Sequence, residues 1–223
     1  MPKSTKVNSV DRSPTFSLEM IRLLIGIIAL TLSAVILVAS SFAPLTSISA
    51  SYHTSARDIF VGLLFVLGAF LMVYKGNTSG ENWVANLGAL AAWVAALCPT
   101  ACDSCQNSII SIVHLCAGLT LFSVTAYFCL GPFKVAAESK PGLGAQRRIK
   151  IYLACGGIIV AWILFLAIAE FTMADFKRTY ALTFWGETIM LWAFGIAWIV
   201  ACKGFPGLAT GKTLTGLFKA MAG

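Results

Sequence analysis

The stretch LLIGIIALTLSAVILVASSFA, residues 23–43, decides the fold class. It contains 21 residues and no charge. A helix needs about 20 mostly apolar residues to cross a hydrocarbon core of about 30 Å. The run is too long for the 7–15-residue apolar region of a cleaved signal peptide, so it reads as a retained membrane helix. It lacks the alternating pattern of a barrel strand. Five further runs follow: Ile59–Tyr74, Asn82–Cys102, Ser104–Phe133, Ile151–Ala169 and Thr179–Cys202, the last interrupted only by Glu187. The expected architecture is all-α, a polytopic six-transmembrane-helix bundle. Residues 1–17 form an N-terminal tail, residues 18–203 the membrane domain and residues 204–223 a C-terminal tail.

Composition agrees. The chain is 58% hydrophobic and 11% charged, against about 25% charged residues in a soluble domain. Such a chain cannot cover a soluble surface, and it is too apolar to be disordered.

The basic residues set an orientation. Thirteen fall on one side of the six runs: Lys3, Lys6, Arg12, Arg22, Lys75, Lys134, Lys140, Arg147, Arg148, Lys150, Lys203, Lys212 and Lys219. Three fall on the other: Arg57, Lys177 and Arg178. The positive-inside rule then puts both termini in the cytoplasm of a cell-membrane protein. The net charge of +7 reflects topology, and no nucleic-acid motif accompanies it. Anionic lipid headgroups are the expected partners of such a surface, together with a membrane-protein partner or a second copy of the chain.

Outside the runs, Lys134–Lys150 reads as the longest cytoplasmic linker. In the tail, Leu214, Leu217, Phe218 and Met221 have helical spacing beside Lys212 and Lys219. That suits a short interfacial amphipathic helix. A frayed end is the alternative, because Gly211 and Gly216 weaken helix propensity. In the third run, Ala85, Gly88, Ala89, Ala92 and Ala96 offer a small-residue face for close helix packing, which marks that helix as the central one. Trp83, Trp162, Trp185 and Trp198 sit near run ends and read as interfacial anchors; Trp93 and Trp192 lie deeper.

Three of the seven cysteines form Cys98-Pro-Thr-Ala-Cys102-Asp-Ser-Cys105 between the third and fourth runs. On the outer side a disulfide among Cys98, Cys102 and Cys105 is the simplest reading, with one thiol left over. A zinc site would need a fourth ligand, and His53 is the only nearby one in a loop. No metal and no cofactor are expected.

Charged or titratable groups inside lipid are costly, so each is a functional candidate. His114 lies in the fourth run with Ser111 one turn before it. Glu187 lies near the outer end of the sixth. The first outer loop adds Tyr52, His53, Arg57 and Asp58. All fall in the outer half, which predicts one polar cavity there, with Arg57 offsetting Glu187 or Asp58.

The stretch Ser47-Ile-Ser49-Ala-Ser-Tyr52 with Ser55-Ala-Arg57-Asp58-Ile-Phe-Val-Gly62 resembles a group of uncharacterised bacterial multi-pass membrane proteins. Phe184-Trp185-Gly186-Glu187, Ala193-Phe194-Gly195-Ile-Ala-Trp198 and Lys203-Gly204 carry the same resemblance, which implies six helices and no particular reaction. A distant likeness is to the membrane hydrolases that include alkaline ceramidases. Those use Ser, Asp and three His around zinc. Ser49, His53 and Asp58 echo the first part, but the late histidine pair is missing, and only His53 and His114 exist.

Three functions compete. The favoured one is a non-catalytic bundle binding lipid, ligand or partner. The others are a small transporter using His114 and Glu187, and a metal-dependent intramembrane hydrolase.

Overall fold

The structure is a computed structural model that describes residues 17–101, 109–139 and 143–202. Every regular element among them is helical: α1 Leu18–Ala39, α2 Arg57–Val73, α3 Ser79–Leu97, α4 Ile109–Phe128, α5 Lys134–Glu138, α6 Leu143–Thr172, α7 Ala174–Thr179 and α8 Leu182–Ala201. A 3-10 turn spans Ser49–His53, and a π turn, Cys129–Phe133, joins α4 to α5. That turn holds Pro132. Proline has no N–H to give the helical ladder, and the wider π turn accommodates it without ending the helix.

Helix starts follow from capping. The Ser17 hydroxyl accepts the Met20 N–H at 3.2 Å, and Glu19 favours the positive end of the helix. At α3, Thr78 accepts the Glu81 N–H at 3.2 Å, while the Glu81 carboxylate accepts the Asn77 N–H at 3.0 Å. The reciprocal pair satisfies donors that the first turn leaves open. α1 ends where Ser41 and Phe42 turn left-handed, with φ of 53° and 57°.

The six long helices form a closed ring. Each packs on its neighbours in sequence, and α8 returns to pack on α1. The tightest crossing is α1 on α8. A Cβ on Gly195 would stand 2.8 Å from the Gly26 carbonyl oxygen, and one on Gly26 would stand 2.9 Å from that of Gly195. Small residues of this kind let backbones touch where lipid gives no hydrophobic drive to association. Ile25, Leu32, Leu67, Ile159 and Phe194 fill the interior.

Four helical stretches are long and apolar enough to cross a membrane: Leu18–Ala39, Ile109–Glu138, Gly144–Thr172 and Leu182–Ala201. The expectation of six is therefore met in part. α2 has 17 residues, and α3 opens with Glu81, Asn82 and Asn86, which dilute its apolar character.

Other expectations are corrected. The small-residue face of α3 is buried as predicted, yet α8 is the central helix. It touches α1, α4, α6 and α7, and 67% of its apolar window is buried against 22% for α6. Trp198 is fully buried rather than an interfacial anchor, because its face of α8 turns onto Tyr74 and Phe128. Trp192 lies in the middle of α8, as expected, on its exposed face. The linker Lys134–Lys150 is largely helix, its ends belonging to α5 and α6. The C-terminal amphipathic segment and residues 1–16 lie outside the described residues.

Candidate functional site

The bundle has two polar ends. One, the cap end, carries the loop between α1 and α2, the C-terminus of α3 and the N-terminus of α8. Glu187, in the second turn of α8, accepts the Ile48 N–H at 2.6 Å and the Ser49 hydroxyl at 3.4 Å. Beside it the Phe184 N–H donates to the Thr46 carbonyl at 3.0 Å. The single acid of the sixth run thus latches the first loop onto α8.

His114 is buried in α4, and its Nδ1 donates to the Cys98 carbonyl at 2.7 Å. A carbonyl only accepts, so Nδ1 carries the proton. His53 does the same from the 3-10 turn, its Nε2 donating to the Thr100 carbonyl at 2.9 Å. The two histidines of the chain therefore converge on the exit from α3. Arg57 donates to the Tyr52 hydroxyl at 3.1 Å and lies over that ring, 4.6 Å from its centroid.

The predicted cavity residues consequently gather at one end, as three local arrangements. Glu187 and His114 are not bonded to each other, each being committed to a different backbone segment. Arg57 pairs with Tyr52 rather than with Glu187 or Asp58, and Asp58 is exposed. Ser111 is half-buried one turn before His114. Cys98 ends α3 and is bridged to no described cysteine. Cys102 and Cys105 lie outside the described residues, and with them the predicted disulfide. Among the described residues no three His, Cys, Asp or Glu side chains gather to hold a metal.

The opposite end was not anticipated. Arg22, in the second turn of α1, is 8% exposed. Its Nη1 donates to the Ala201 carbonyl at 3.2 Å and its Nη2 to the Tyr74 hydroxyl at 3.0 Å. The guanidinium lies 5.5 Å from the Tyr74 ring centroid and 5.7 Å from that of Phe133. Trp198 packs on Tyr74, Phe128 and Phe133, and Phe133 on Tyr152. Arg148, one turn before Tyr152 on α6, is 3% exposed. Signals for this end were present. Ser17 is a capping residue that starts α1 before Arg22, and Arg148, Tyr152, Cys155 and Ile159 recur at helical spacing. Counting both arginines only as topological markers hid them.

An all-helical bundle of membrane-spanning character, polar at both ends, is the class these features define. No known protein family, curated protein or solved structure matches the chain.

Proposed function

We propose that the protein is a six-span cell-membrane protein with both termini cytoplasmic, acting as a non-catalytic bundle that binds lipid, a small ligand or a partner subunit. The bacterial resemblance seen in the sequence accords with this. At 1.5 Å per residue, α2 and α3 extend about 25–28 Å, close to a hydrocarbon core of about 30 Å. They run between the same two ends as the four apolar helices, since Tyr74 at the exit of α2 meets Arg22 and Trp198. Of the thirteen basic residues, the six that are described, Arg22, Lys75, Lys134, Arg147, Arg148 and Lys150, lie toward the arginine end, which favours placing that end in the cytoplasm.

One observation carries the binding reading. The polar side chains suited to chemistry at the cap end, Glu187, His53 and His114, are each engaged by the backbone of another segment. Each histidine keeps its second ring nitrogen, and the bond to the carbonyl fixes its tautomer and orientation; what favours binding is that all three side chains tie one segment of the chain to another. Side chains already holding the cap closed suit a rigid recognition surface better than turnover.

Mass spectrometry of the protein extracted in mild detergent tests this. A lipid, small molecule or subunit retained in fixed proportion is the expected result. Retained metal with lipid-amide hydrolysis would overturn the reading, as would proton-coupled uptake into proteoliposomes that Glu187→Gln abolishes.

A further inference from the structure

At the arginine end, the described residues answer the buried charge of Arg22 only in part. Arg22 is more than nine-tenths buried, yet no carboxylate pairs with it among the described residues. The carboxylates of the same end are placed elsewhere. Glu81 accepts from Asn77 and Thr78, Glu138 pairs with Lys134 at 3.3 Å, and Glu19 forms no ion pair among the described residues. The Ala201 carbonyl and the negative end of the α8 dipole answer Arg22 in part, a helix terminus being equivalent to about half a charge. Arg148 adds a second buried guanidinium, and Tyr152 stands within electrostatic reach of both.

Hydrogen bonding makes an independent case. The Arg22 Nε–H and the Trp198 Nε1–H are both buried and have no acceptor among the described residues. Both side chains pack against Tyr74. Buried donors are almost always satisfied, and a specific exception calls for an explanation such as an ion or bound group. Here the missing partner must be an acceptor. A guanidinium presents its donors in a fork matched to the oxygens of a phosphate or carboxylate. A buried guanidinium with no described carboxylate, two orphan donors and an aromatic wall at this end of the bundle together suit a tetrahedral oxyanion carried at the membrane–water boundary.

We propose that this end binds a phosphate group, with Arg22 as its main ligand and the Trp198 indole as a second donor. The phosphate is either the headgroup of an anionic phospholipid or a free phosphate. The site is separate from the cap end, and its existence does not depend on whether the bundle is a binder, a carrier or an enzyme.

The full-length protein in neutral detergent is melted against three probes: inorganic phosphate, short-chain phosphatidylglycerol, and an uncharged glucosyl lipid of the same chain length. A saturable rise in midpoint with phosphatidylglycerol alone assigns the lipid headgroup, and a rise with inorganic phosphate as well assigns free phosphate. No rise with either, or an equal rise with the glucosyl lipid, overturns the proposal. Arg22→Gln is expected to abolish the rise. Because that variant risks misfolding, Arg22→Lys and Trp198→Phe are measured beside it. Lysine keeps the charge without the fork, and phenylalanine keeps the ring without the donor. Each is expected to weaken binding about tenfold, and Trp198→Phe, which removes no bond that the free protein makes, is expected to leave the ligand-free melt close to that of the parent. Affinity unchanged in both would show the donors to be satisfied by water alone and would sink the site.

Discussion

Glu187 bonds a loop segment 139 residues away in sequence, so its loss is felt in two places. Truncation to alanine leaves the Ile48 N–H and the Ser49 hydroxyl without their acceptor. Leaving a buried donor unsatisfied costs about 1–3 kcal/mol. Glu187→Ala is expected to lower the thermal midpoint in detergent and to raise the labelling rate of a cysteine placed at Ser49. An unchanged rate would mean that the loop is held by its own turns. His114→Phe keeps bulk but removes the donor to the Cys98 carbonyl. It is expected to cost about 1–3 kcal/mol, read as a lower midpoint with secondary structure retained. Both residues were legible in the sequence, as rare polar groups in apolar runs. Their partners were not, because each partner is a backbone group, and every residue carries one. The same limit explains why Arg57 was assigned to the carboxylates. Nothing in the residue order ranks Tyr52, five residues away in a separate turn, above Asp58 or Glu187.

At the scale of the helix, the closest approach in the bundle constrains two positions at once. Gly26 and Gly195 face each other across α1 and α8, each lying where the other would place a Cβ against a backbone oxygen. Backbone cannot rotate aside as a side chain can, so the helices must separate. Overpacking typically costs about 1–3 kcal/mol, and Gly195→Leu is expected to reach the upper part of that range. Gly157, whose added Cβ would meet nothing within 4 Å, is the control, and Gly157→Leu is expected to leave the midpoint within about 0.5 kcal/mol of the parent. Equal effects at the two sites would refute the crossing. The existence of the helices was legible from hydropathy, but their ends were not. Runs bounded by charge begin after Arg22 and after Lys150, whereas α1 begins at Leu18 and α6 at Leu143. The charge-free criterion cuts a helix wherever a charged side chain is inside it, and here two of those side chains, Arg22 and Arg148, are buried. The same criterion ended the fourth run at Phe133, before Lys134, whereas the helix continues through the π turn into α5 as far as Glu138.

For the whole molecule, the ring of six helices ties topology to burial. Sequence neighbours are spatial neighbours because the connections are short, and that much followed from the spacing of the runs. Closure of α8 onto α1 did not follow, since it rests on two glycines at opposite ends of the chain. Spanning by α2 and α3 is the open part of the topology, and one turn discriminates. The α2–α3 turn, at residues 74–78, lies at the arginine end. If both helices cross, a cysteine at Asn77 faces the cytoplasm and one at Ser49 faces outward. If the α2–α3 hairpin instead folds back on the outer side, both positions face outward, while position 140 stays inside. In a cysteine-free background, a membrane-impermeant thiol reagent applied to intact cells is expected to label position 49 and to spare positions 77 and 140 until the cells are opened. Labelling of 77 in intact cells, with 140 still protected, would leave four spans and reject six. Labelling of 140 would reverse the orientation, and with it the placement of the arginine end against the inner leaflet, where anionic headgroups concentrate.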